Sequence, residues 1–369
     1  MQSMPATNAL FPTIYGRNLV AELKHFVHRP YLIVTMEDLW PRFAAEFDDN
    51  LAGVHLVQTL KEQELQAALN KQFAQAPDCA SVIGLGGGQA LDVAKYVAWT
   101  RRLPLFQLPT ALTVDAGFGH RIALRVEGQV QYVGWAVPEA VYLDYDVIQG
   151  APPLLNRSGV GDVLCFLTGD ADWKLAQARG KAEPQWPYDP ALAAEARAVL
   201  DPVLDALDEI RAVSDAGIRV LAEALRWGGA AYHNAGWNAR HIEGVEHFFF
   251  YALEYRVLKP FIHGQPVCLG AYLGAAMHEQ VGVVPLSAEQ MLDYIRRAGV
   301  DIRPEAMGVT WDDVTATLYD LSAYVRASGL PYGVAHEAEI SEPFIATARS
   351  RIEAAFGPWK GAEHAESNP

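Results

Sequence analysis

The sequence predicts an α/β domain over residues 1–150, followed by an all-helical domain over residues 151–369. In the first segment, short β-branched and aromatic stretches alternate with amphipathic ones, which is typical of β-α-β units that build a mostly parallel sheet. In the second, long stretches rich in Ala, Leu, Glu and Arg space their apolar residues as helices do, and almost nothing alternates with period two. The adjacent residues Pro152 and Pro153 mark this change of pattern.

Five apolar stretches of the first domain are predicted to be strands of its sheet: residues 31–35, 54–58, 81–85, 104–107 and 141–144. Residues 62–74 and 89–100 place apolar side chains three and four positions apart, as helices on a sheet do. Residues 122–126 and 130–135 flank Glu127 and Gly128 and are predicted to form a hairpin. The helices predicted for the second domain include residues 190–210, 216–227, 288–298, 311–328 and 337–355.

Bulk composition limits the classes of function. The 369 residues are 51% hydrophobic and 20% charged and carry a formal net charge of -15, so their field repels nucleic acid and anionic membrane surfaces. No apolar stretch reaches the length of a membrane span, residues 1–16 lack the apolar segment of a secretory signal, and the three cysteines suit reduced thiols. We therefore expect a cytoplasmic protein without nucleic-acid partners or membrane insertion. Assembly into a homo-oligomer is left open.

A phosphate-binding turn is predicted where a strand passes directly into a helix. Residues 81–95 read SVIGLGGGQALDVAK, in which an apolar strand leads through Gly86, Gly87 and Gly88 into the helix. Consecutive glycines let the backbone approach a ligand closely, and the amides of a helix N-terminus favour a pyrophosphate. The alternative is a tight connection that binds no ligand.

This segment resembles the cofactor loop of a family that joins iron-activated alcohol dehydrogenases, glycerol dehydrogenase, glycerol-1-phosphate dehydrogenase and, more distantly, 3-dehydroquinate synthase. The resemblance implies that the three glycines, with Gln89, Asp92 and Lys95, bind the pyrophosphate and neighbouring parts of NAD or NADP. It also implies a dehydroquinate synthase-like fold, with an α/β Rossmann-like N-terminal domain and an all-α C-terminal domain.

Three further positions match the family's cofactor and substrate loops. Residues 108–113 read LPTALT and resemble its Pro-Thr loop, so Thr110 and Thr113 are expected near the nicotinamide half of the cofactor. Asp115 matches an acidic position that reaches toward the substrate, although capping or turn formation would also explain these residues. Glu37, just beyond the first predicted strand, is a candidate to bind the adenosine ribose, and the choice between NAD and NADP stays open.

One carboxylate and two imidazoles of the second domain are candidate metal ligands. Asp162 ends the segment SGVGD at the start of a predicted helix, His247 lies in the apolar segment GVEHFFFYALE, and His263 opens HGQPVCLGAYLGA. Three such ligands leave an open coordination position, as a catalytic metal requires. Their order and spacing resemble the family's, in which these positions ligate zinc or iron. Taken singly, each residue is explained equally well as a cap or as a buried histidine with another partner.

The expected activity is that of a metal-dependent NAD(P)-linked oxidoreductase, which interconverts a small polyol or polyol phosphate and its ketone or aldehyde. The ion would polarise the substrate oxygen while hydride passes between carbon and nicotinamide. The segment NARHIEGVEH, residues 238–247, is closest to the glycerol-1-phosphate dehydrogenase version of the motif, and Arg240 and His241 are candidates to bind a substrate phosphate. Glu243 stands where a small residue is expected, and a carboxylate there would repel a phosphate. His120 is a weaker candidate for proton exchange.

Two other functions are compatible with the same motifs. The first is a sugar phosphate cyclase resembling 3-dehydroquinate synthase, but residues 114–121, VDAGFGHR, lack that group's Ser-Ser and Gly-Gly-Lys, and its metal carboxylate is usually Glu. The second is a non-catalytic nucleotide-binding protein on the same scaffold, which the full set of candidate metal ligands disfavours.

Overall fold

A computed structural model describes residues 11–75, 79–127, 129–284 and 286–359 of the chain. The chain divides into two compact units, the first formed by Met1–Asn156 with Val213–Trp237 and the second by Arg157–Ala212 with Asn238–Pro369. The first unit thus includes a helical segment from beyond residue 150, where two contiguous domains were predicted. The change of periodicity near residue 150 shows where helices begin to dominate, but it does not show on which unit each helix packs.

A parallel sheet forms the centre of the first unit, as predicted, with six strands where five were expected. Its strands lie in the order β1-β8-β5-β4-β2-β3, and two further strands, β6 and β7, pair as a separate antiparallel hairpin. Gly128, predicted for the turn of this hairpin, lies outside the described residues. The strands are β1 (Thr13–Gly16), β2 (Tyr31–Thr35), β3 (Leu51–Leu56), β4 (Ser81–Gly86), β5 (Leu105–Pro109), β6 (Arg121–Val126), β7 (Gln129–Trp135) and β8 (Ala140–Asp144).

The sheet separates two apolar cores. Successive side chains of a strand point to opposite faces, so Leu32 and Val34 of β2 enter one core and Tyr31 and Ile33 enter the other. Helices α3 (Glu62–Gln75) and α4 (Gly88–Arg101) line the first core, and α1 (Leu19–Phe26) lines the second. Because both faces of the sheet are covered, β2, β4, β5 and β8 are buried along their whole length and read as apolar runs.

The remaining α-helices are α2 (Trp40–Phe43), α5 (Tyr145–Gln149), α6 (Pro153–Arg157), α7 (Gly161–Ala178), α8 (Pro190–Asp205), α9 (Leu207–Ala212), α10 (Asp215–Asn234), α11 (Val245–Val257), α12 (Gly264–Val281), α13 (Ala288–Ala298), α14 (Trp311–Ala327) and α15 (Glu342–Phe356). The five helical segments predicted for the second half of the chain are found as α8 with α9, α10, α13, α14 and α15, whereas α2, α5 and α6 were not predicted. The predicted helix over residues 190–210 is interrupted at Ala206, and the last helix starts at Glu342 rather than at residue 337, because Ser341 caps it and Pro343 occupies its first turn.

The order of the strands places a switch point between β2 and β4. From β2 the chain crosses to β3 on one side, and from β4 it crosses to β5 on the other. Open parallel sheets bind ligands in the crevice that such a reversal creates at the carboxyl ends of the strands. The glycine-rich turn after β4 lies at that edge. Among the described residues, no helix has the length and apolar character needed to cross a membrane.

Candidate functional site

The glycine-rich turn joins β4 to α4 at the carboxyl edge of the sheet. Gly86 ends the strand with φ +156°, and Gly87 precedes the helix without a side-chain cap. A Cβ at Gly86 or at Gly88 would lie 2.8 Å from a neighbouring side chain, Ala90 or Val114 respectively. A Cβ at Gly87 would meet nothing within 4 Å. Packing thus requires glycine at the outer two positions, and the middle glycine faces open space at a helix N-terminus, where an anion is favoured.

Two polar residues expected to contact the nucleotide are exposed near this turn. Glu37 lies in the turn that follows β2, the sheet neighbour of β4, and Gln89 lies in the first turn of α4. Both positions are compatible with a nucleotide at the switch point. Their contacts with a cofactor stay predictions.

Asp92 and Lys95 are turned into the interior of the first unit. The Lys95 Nζ atom lies 2.8 Å from Asp92 Oδ1 and donates to the carbonyl oxygens of Gly119 (3.0 Å) and Arg121 (2.6 Å). Asp92 Oδ1 also accepts from the backbone N–H of Ala123. The pair therefore ties α4 to the segment that enters β6, and the predicted contact of these side chains with a pyrophosphate remains untested.

The residues predicted to lie near the nicotinamide follow β5 at the same edge of the sheet. Thr110 is buried and its backbone N–H donates to the Gly86 carbonyl, and Thr113 is half-buried. Asp115 begins a short 3-10 turn, and its carbonyl accepts from two backbone N–H groups, each at 2.8 Å. The loop is thus tethered to the glycine-rich turn, while the roles of these side chains stay predictions.

His120, the weaker candidate for proton exchange, is buried in the first unit. Its ring lies edge-on to that of His233 at 5.0 Å, and neither ring nitrogen has a hydrogen-bond partner in the described structure. Burial, with smaller effects of His233 and Lys95, lowers the pKa of His120 to about 4. Such an imidazole is uncharged near neutral pH and accepts a proton poorly, which argues against the exchange role.

The three candidate metal ligands converge in the second unit. Asp162 lies in the first turn of α7, His247 in the first turn of α11, and His263 caps α12. Their ligand atoms all lie within 4.8 Å of one another. Asp162 Oδ1 is 3.1 Å from Nε2 of His263 and 3.7 Å from Nε2 of His247. Two of the residues are buried and the side chain of His263 is 25% exposed, so the cluster keeps one accessible side.

Glycines allow α12 to meet both α7 and α11 at the backbone, and on the α11 side a Cβ at Gly270 would lie 2.5 Å from the Glu246 carbonyl oxygen. A Cβ at Gly264 would collide with the Ser158 carbonyl, and one at Gly161 would lie 2.8 Å from the Gly264 carbonyl oxygen. These two glycines flank Asp162 and His263, which explains the glycines of SGVGD and of the His-Gly pair. Close backbone packing brings the short carboxylate side chain within reach of both imidazoles.

Glu246 orients His247, a role that the sequence did not reveal. Its fully buried carboxylate accepts at Oε1 from His247 Nδ1 (3.0 Å) and from the N–H of Gly244 (2.6 Å), and at Oε2 from the hydroxyl of Thr168 (2.5 Å). Since a carboxylate can only accept, the proton of His247 is assigned to Nδ1, which leaves Nε2 facing Asp162 and His263. When one ring nitrogen of a histidine binds a metal, the other typically donates its proton to a carboxylate.

The electrostatics of this cluster suit a cation. Burial pulls the pKa of His247 down, but the hydrogen bond to Glu246 and the charges of Glu243, Glu246 and Asp162 outweigh it and raise the pKa to about 9. A site that binds a proton this strongly attracts positive charge. Zinc and iron are commonly bound by one carboxylate oxygen and two imidazole nitrogens, so the residues present fit a divalent ion.

Asp172 fixes the N-terminus of the helix that carries His247. Its buried carboxylate accepts at Oδ2 from the N–H of Val245, the first residue of α11, at 2.8 Å. At Oδ1 it accepts from His278 Nε2 (2.8 Å) and from the N–H of Val334 (2.7 Å). Asp172 thereby joins three elements of the second unit, and nothing in its local sequence indicated this role.

Arg240 and His241 do not supply the cations expected for a substrate phosphate. The Arg240 side chain donates twice to Glu183, at 2.9 and 3.1 Å, and once to the Tyr332 carbonyl, at 2.6 Å. His241 is fully buried, and burial lowers its pKa to about 4. The guanidinium is already paired and the imidazole is uncharged near neutral pH, because both side chains pack inside the second unit.

The chain is similar to known proteins both in its sequence and in its fold. Residues 19–152 match a family model described as iron-containing alcohol dehydrogenase. A glycerol-1-phosphate dehydrogenase (NAD(P)+) of Thermofilum pendens is 32% identical over 294 residues, which cover 78% of this chain and 81% of the relative.

Two solved structures share the fold over nearly the whole chain. A probable glycerol dehydrogenase from Sinorhizobium meliloti has a TM-score of 0.69 at 18% identity and covers 93% of this chain and 96% of its own. The 2-epi-5-epi-valiolone synthase of Streptomyces hygroscopicus, with NAD+ and Zn2+ bound, has a TM-score of 0.63 at 17% identity. The match covers 93% of this chain and 97% of the synthase. Since a dehydrogenase and a synthase share it, the fold alone does not distinguish these activities.

Proposed function

Because this chain belongs to the glycerol-1-phosphate dehydrogenase family of iron-containing alcohol dehydrogenases, we propose that it is a metal-dependent oxidoreductase that uses NAD or NADP. Its substrates are a small polyol or polyol phosphate and the corresponding ketone or aldehyde. The observation that carries the proposal is the convergence of Asp162, His247 and His263 on one point. The sequence relative is named a dehydrogenase, which favours this function over a cyclase or a non-catalytic nucleotide-binding protein.

The second unit would hold a zinc or iron ion between Asp162 Oδ1 and the Nε2 atoms of His247 and His263. Such an ion supplies a Lewis acid for the substrate oxygen. Glu246 keeps the proton of His247 on Nδ1, so that Nε2 stays available as a ligand. Asp172 holds the start of α11, so the direction of the His247 side chain is set before any ion binds.

The first unit would bind the nucleotide. The turn at Gly86, Gly87 and Gly88 offers uncapped amides at a helix N-terminus to the pyrophosphate, with Gln89 beside it. The turn is assigned in line with the family resemblance, and we further assign Glu37 to the adenosine ribose because it lies exposed in the turn that follows β2. In the oxidation direction the polyol loses two electrons and two protons: one hydride passes to the nicotinamide and one proton passes to solvent.

The same resemblance supports three assignments on the loop after β5. Thr110 and Thr113 would lie near the nicotinamide, and Asp115 would reach toward the substrate. We also propose that the enzyme works in the cytoplasm, since Cys79, Cys165 and Cys268 are free thiols and suit a reducing compartment. The net charge of -15 disfavours a nucleic-acid partner.

The test is a substrate panel with the metal-loaded protein. Zinc or ferrous protein is mixed with NAD or NADP and with glycerol, glycerol 1-phosphate and simple alcohols, and with dihydroxyacetone or its phosphate in the reverse direction. Absorbance of the reduced nicotinamide is expected to change for at least one polyol, and chelation of the metal should abolish the change. Binding of metal and nucleotide without turnover of any panel member would contradict the proposal.

A further inference from the structure

Glu243 holds a carboxyl group beside the candidate metal centre. It lies just before Gly244, the residue that caps α11, and its Oε1 accepts from the Tyr251 hydroxyl at 3.1 Å. Tyr251 follows His247 by one helical turn, and the two rings lie 6.0 Å apart. Because the tyrosine reaches back along the helix to Glu243, the carboxyl lies along the face of α11 that carries His247.

The carboxyl of Glu243 interacts electrostatically with the imidazoles of the centre. The pKa of Glu243 is raised, mainly by burial and also by the negative charge of Glu246. The positive charges of His247 and His263 oppose this shift. The hydrogen bond to Tyr251, whose ring lies 6.0 Å from that of His247, places this carboxyl near the position of the ion.

The balance of charge at the centre is unfavourable for a phosphate. Ionised Asp162, Glu243 and Glu246 contribute three negative charges, and a divalent ion contributes two positive ones, which leaves one negative charge. Protonation of Glu243 removes that charge but supplies no cation. The nearby Arg240 donates to Glu183 and Tyr332, so its fork of donors is occupied. Lys and Arg side chains bind phosphate dianions most strongly, and Arg240, the Lys or Arg residue of the segment 238–246, is already paired.

We propose that Glu243 selects against phosphorylated substrates, so that this enzyme acts on an uncharged polyol, such as glycerol, and on its uncharged ketone or aldehyde. The inference rests on the proposed function and narrows its substrate class. A hydroxyl of an uncharged polyol can donate to the Glu243 carboxyl, whereas a phosphate has to approach the same group against like charge. The substrate then differs from the one in the name of the Thermofilum pendens relative.

The experiment compares kcat/KM for dihydroxyacetone and for dihydroxyacetone phosphate in the metal-loaded wild type and in Glu243→Gln. The wild type is expected to prefer the uncharged ketone. Glu243→Gln keeps the shape and removes the charge, and it should raise kcat/KM for the phosphate about tenfold or more while changing that for dihydroxyacetone by less than about threefold. Glu289→Gln, which removes the same charge from an exposed position of α13, is the matched control and should leave the ratio unchanged.

A second measurement does not depend on turnover. Calorimetry of zinc-loaded protein without nucleotide should show tighter binding of dihydroxyacetone phosphate to Glu243→Gln than to wild type, and Glu243→Asp, which keeps the charge, should behave as wild type. The inference is overturned if the wild type prefers dihydroxyacetone phosphate and Glu243→Gln leaves the ratio of the two kcat/KM values unchanged. The proposed function would still hold in that case. Absence of turnover with either ketone, by protein that binds metal and nucleotide, defeats the proposed function itself.

Discussion

Replacement of Glu246 by glutamine tests how much the negative charge beside His247 contributes to metal binding. The side-chain amide has the shape of the carboxylate, so its oxygen can still accept from Gly244 and from His247 at the position of Oε1. Its NH2 group would face Thr168, whose hydroxyl can accept from it and donate to the carbonyl of Cys165, 3.3 Å away. Hydrogen bonds are thereby retained, and the variant chiefly loses a negative charge.

The expected loss of metal affinity follows from the position of that charge. Glu246 lies 3.0 Å from Nδ1 of His247, so its carboxylate is one hydrogen bond and one imidazole ring from the proposed ion. Removal of such an outer partner weakens metal binding about 10–100-fold, or about 1.4–2.8 kcal/mol. Glu246 is 0% exposed, so water and salt screen its charge weakly and we expect the upper part of this range.

Competition of zinc between the protein and a fluorescent chelator measures this affinity. The pH dependence gives a second signature: a proton on His247 competes with the ion, so affinity in the wild type rises with pH until it levels off near the metal-free pKa of about 9. In Glu246→Gln that pKa falls and the plateau begins at lower pH. Glu254→Gln, on the same helix, is the control and should stay within about threefold of wild type. Unchanged zinc affinity and an unchanged plateau in Glu246→Gln would refute the orienting role.

Three further outcomes are expected. His263→Ala should abolish turnover and lower the bound metal, measured by elemental analysis, while titration with reduced nicotinamide shows nearly unchanged cofactor affinity. Asp172→Ala should lower the free energy of unfolding in urea by about 3–5 kcal/mol, because it leaves buried donors without their acceptor. The lowered pKa of His120 means that only the unfolded chain binds its proton between pH 6.5 and about 4. Stability is therefore unaffected above that window and falls within it by up to about 1.4 kcal/mol per pH unit, a slope that His120→Leu should reduce.

Each of these expectations has a control variant or an outcome that would contradict it. His25→Ala removes an exposed histidine and should leave metal content intact, whereas loss of cofactor binding with metal retained in His263→Ala would reverse the roles of the two units. Asp170 lies on the same helix as Asp172 but pairs with the half-exposed Lys174 and accepts from the Tyr188 hydroxyl, so Asp170→Ala should cost about 1–2 kcal/mol, less than Asp172→Ala. Equal acid sensitivity of the wild type and His120→Leu would show that other groups govern unfolding there.

Sequence patterns predicted the parts of this protein in which neighbouring residues determine the structure. The buried strands of the sheet are continuous apolar runs, so their positions follow from composition. The turn at Gly86 needs small residues at fixed offsets, which is visible in a triplet of glycines. Convergence of Asp162, His247 and His263 was expected only from resemblance, because spacing along a chain does not tell which helices meet.

The features of the fold and of the site that were not predicted depend on partners that are distant in sequence. Asp172 binds His278 and Val334 through the fold, and no local pattern marks such a residue. Lys95 was expected to face a cofactor, but a lysine at that helical position can also turn inward when carbonyl groups from another segment accept its protons. Strand β1, with four half-buried residues, is too short to show a period and was not predicted.

The assignment of α10 to the first unit has a consequence for how the polypeptide is made. Its residues Glu223 and Asp215 bond to Tyr15 and Arg17 at the beginning of the chain. More than fifty positions of the second unit are synthesised between the sheet and this helix. Nascent protein emerging from a ribosome therefore cannot finish its first unit until residue 237 has cleared the tunnel. A fragment cut at residue 150 would lack Glu223, the partner of Tyr15, and would keep Asp146 but not Asp215 as an acidic partner of Arg17.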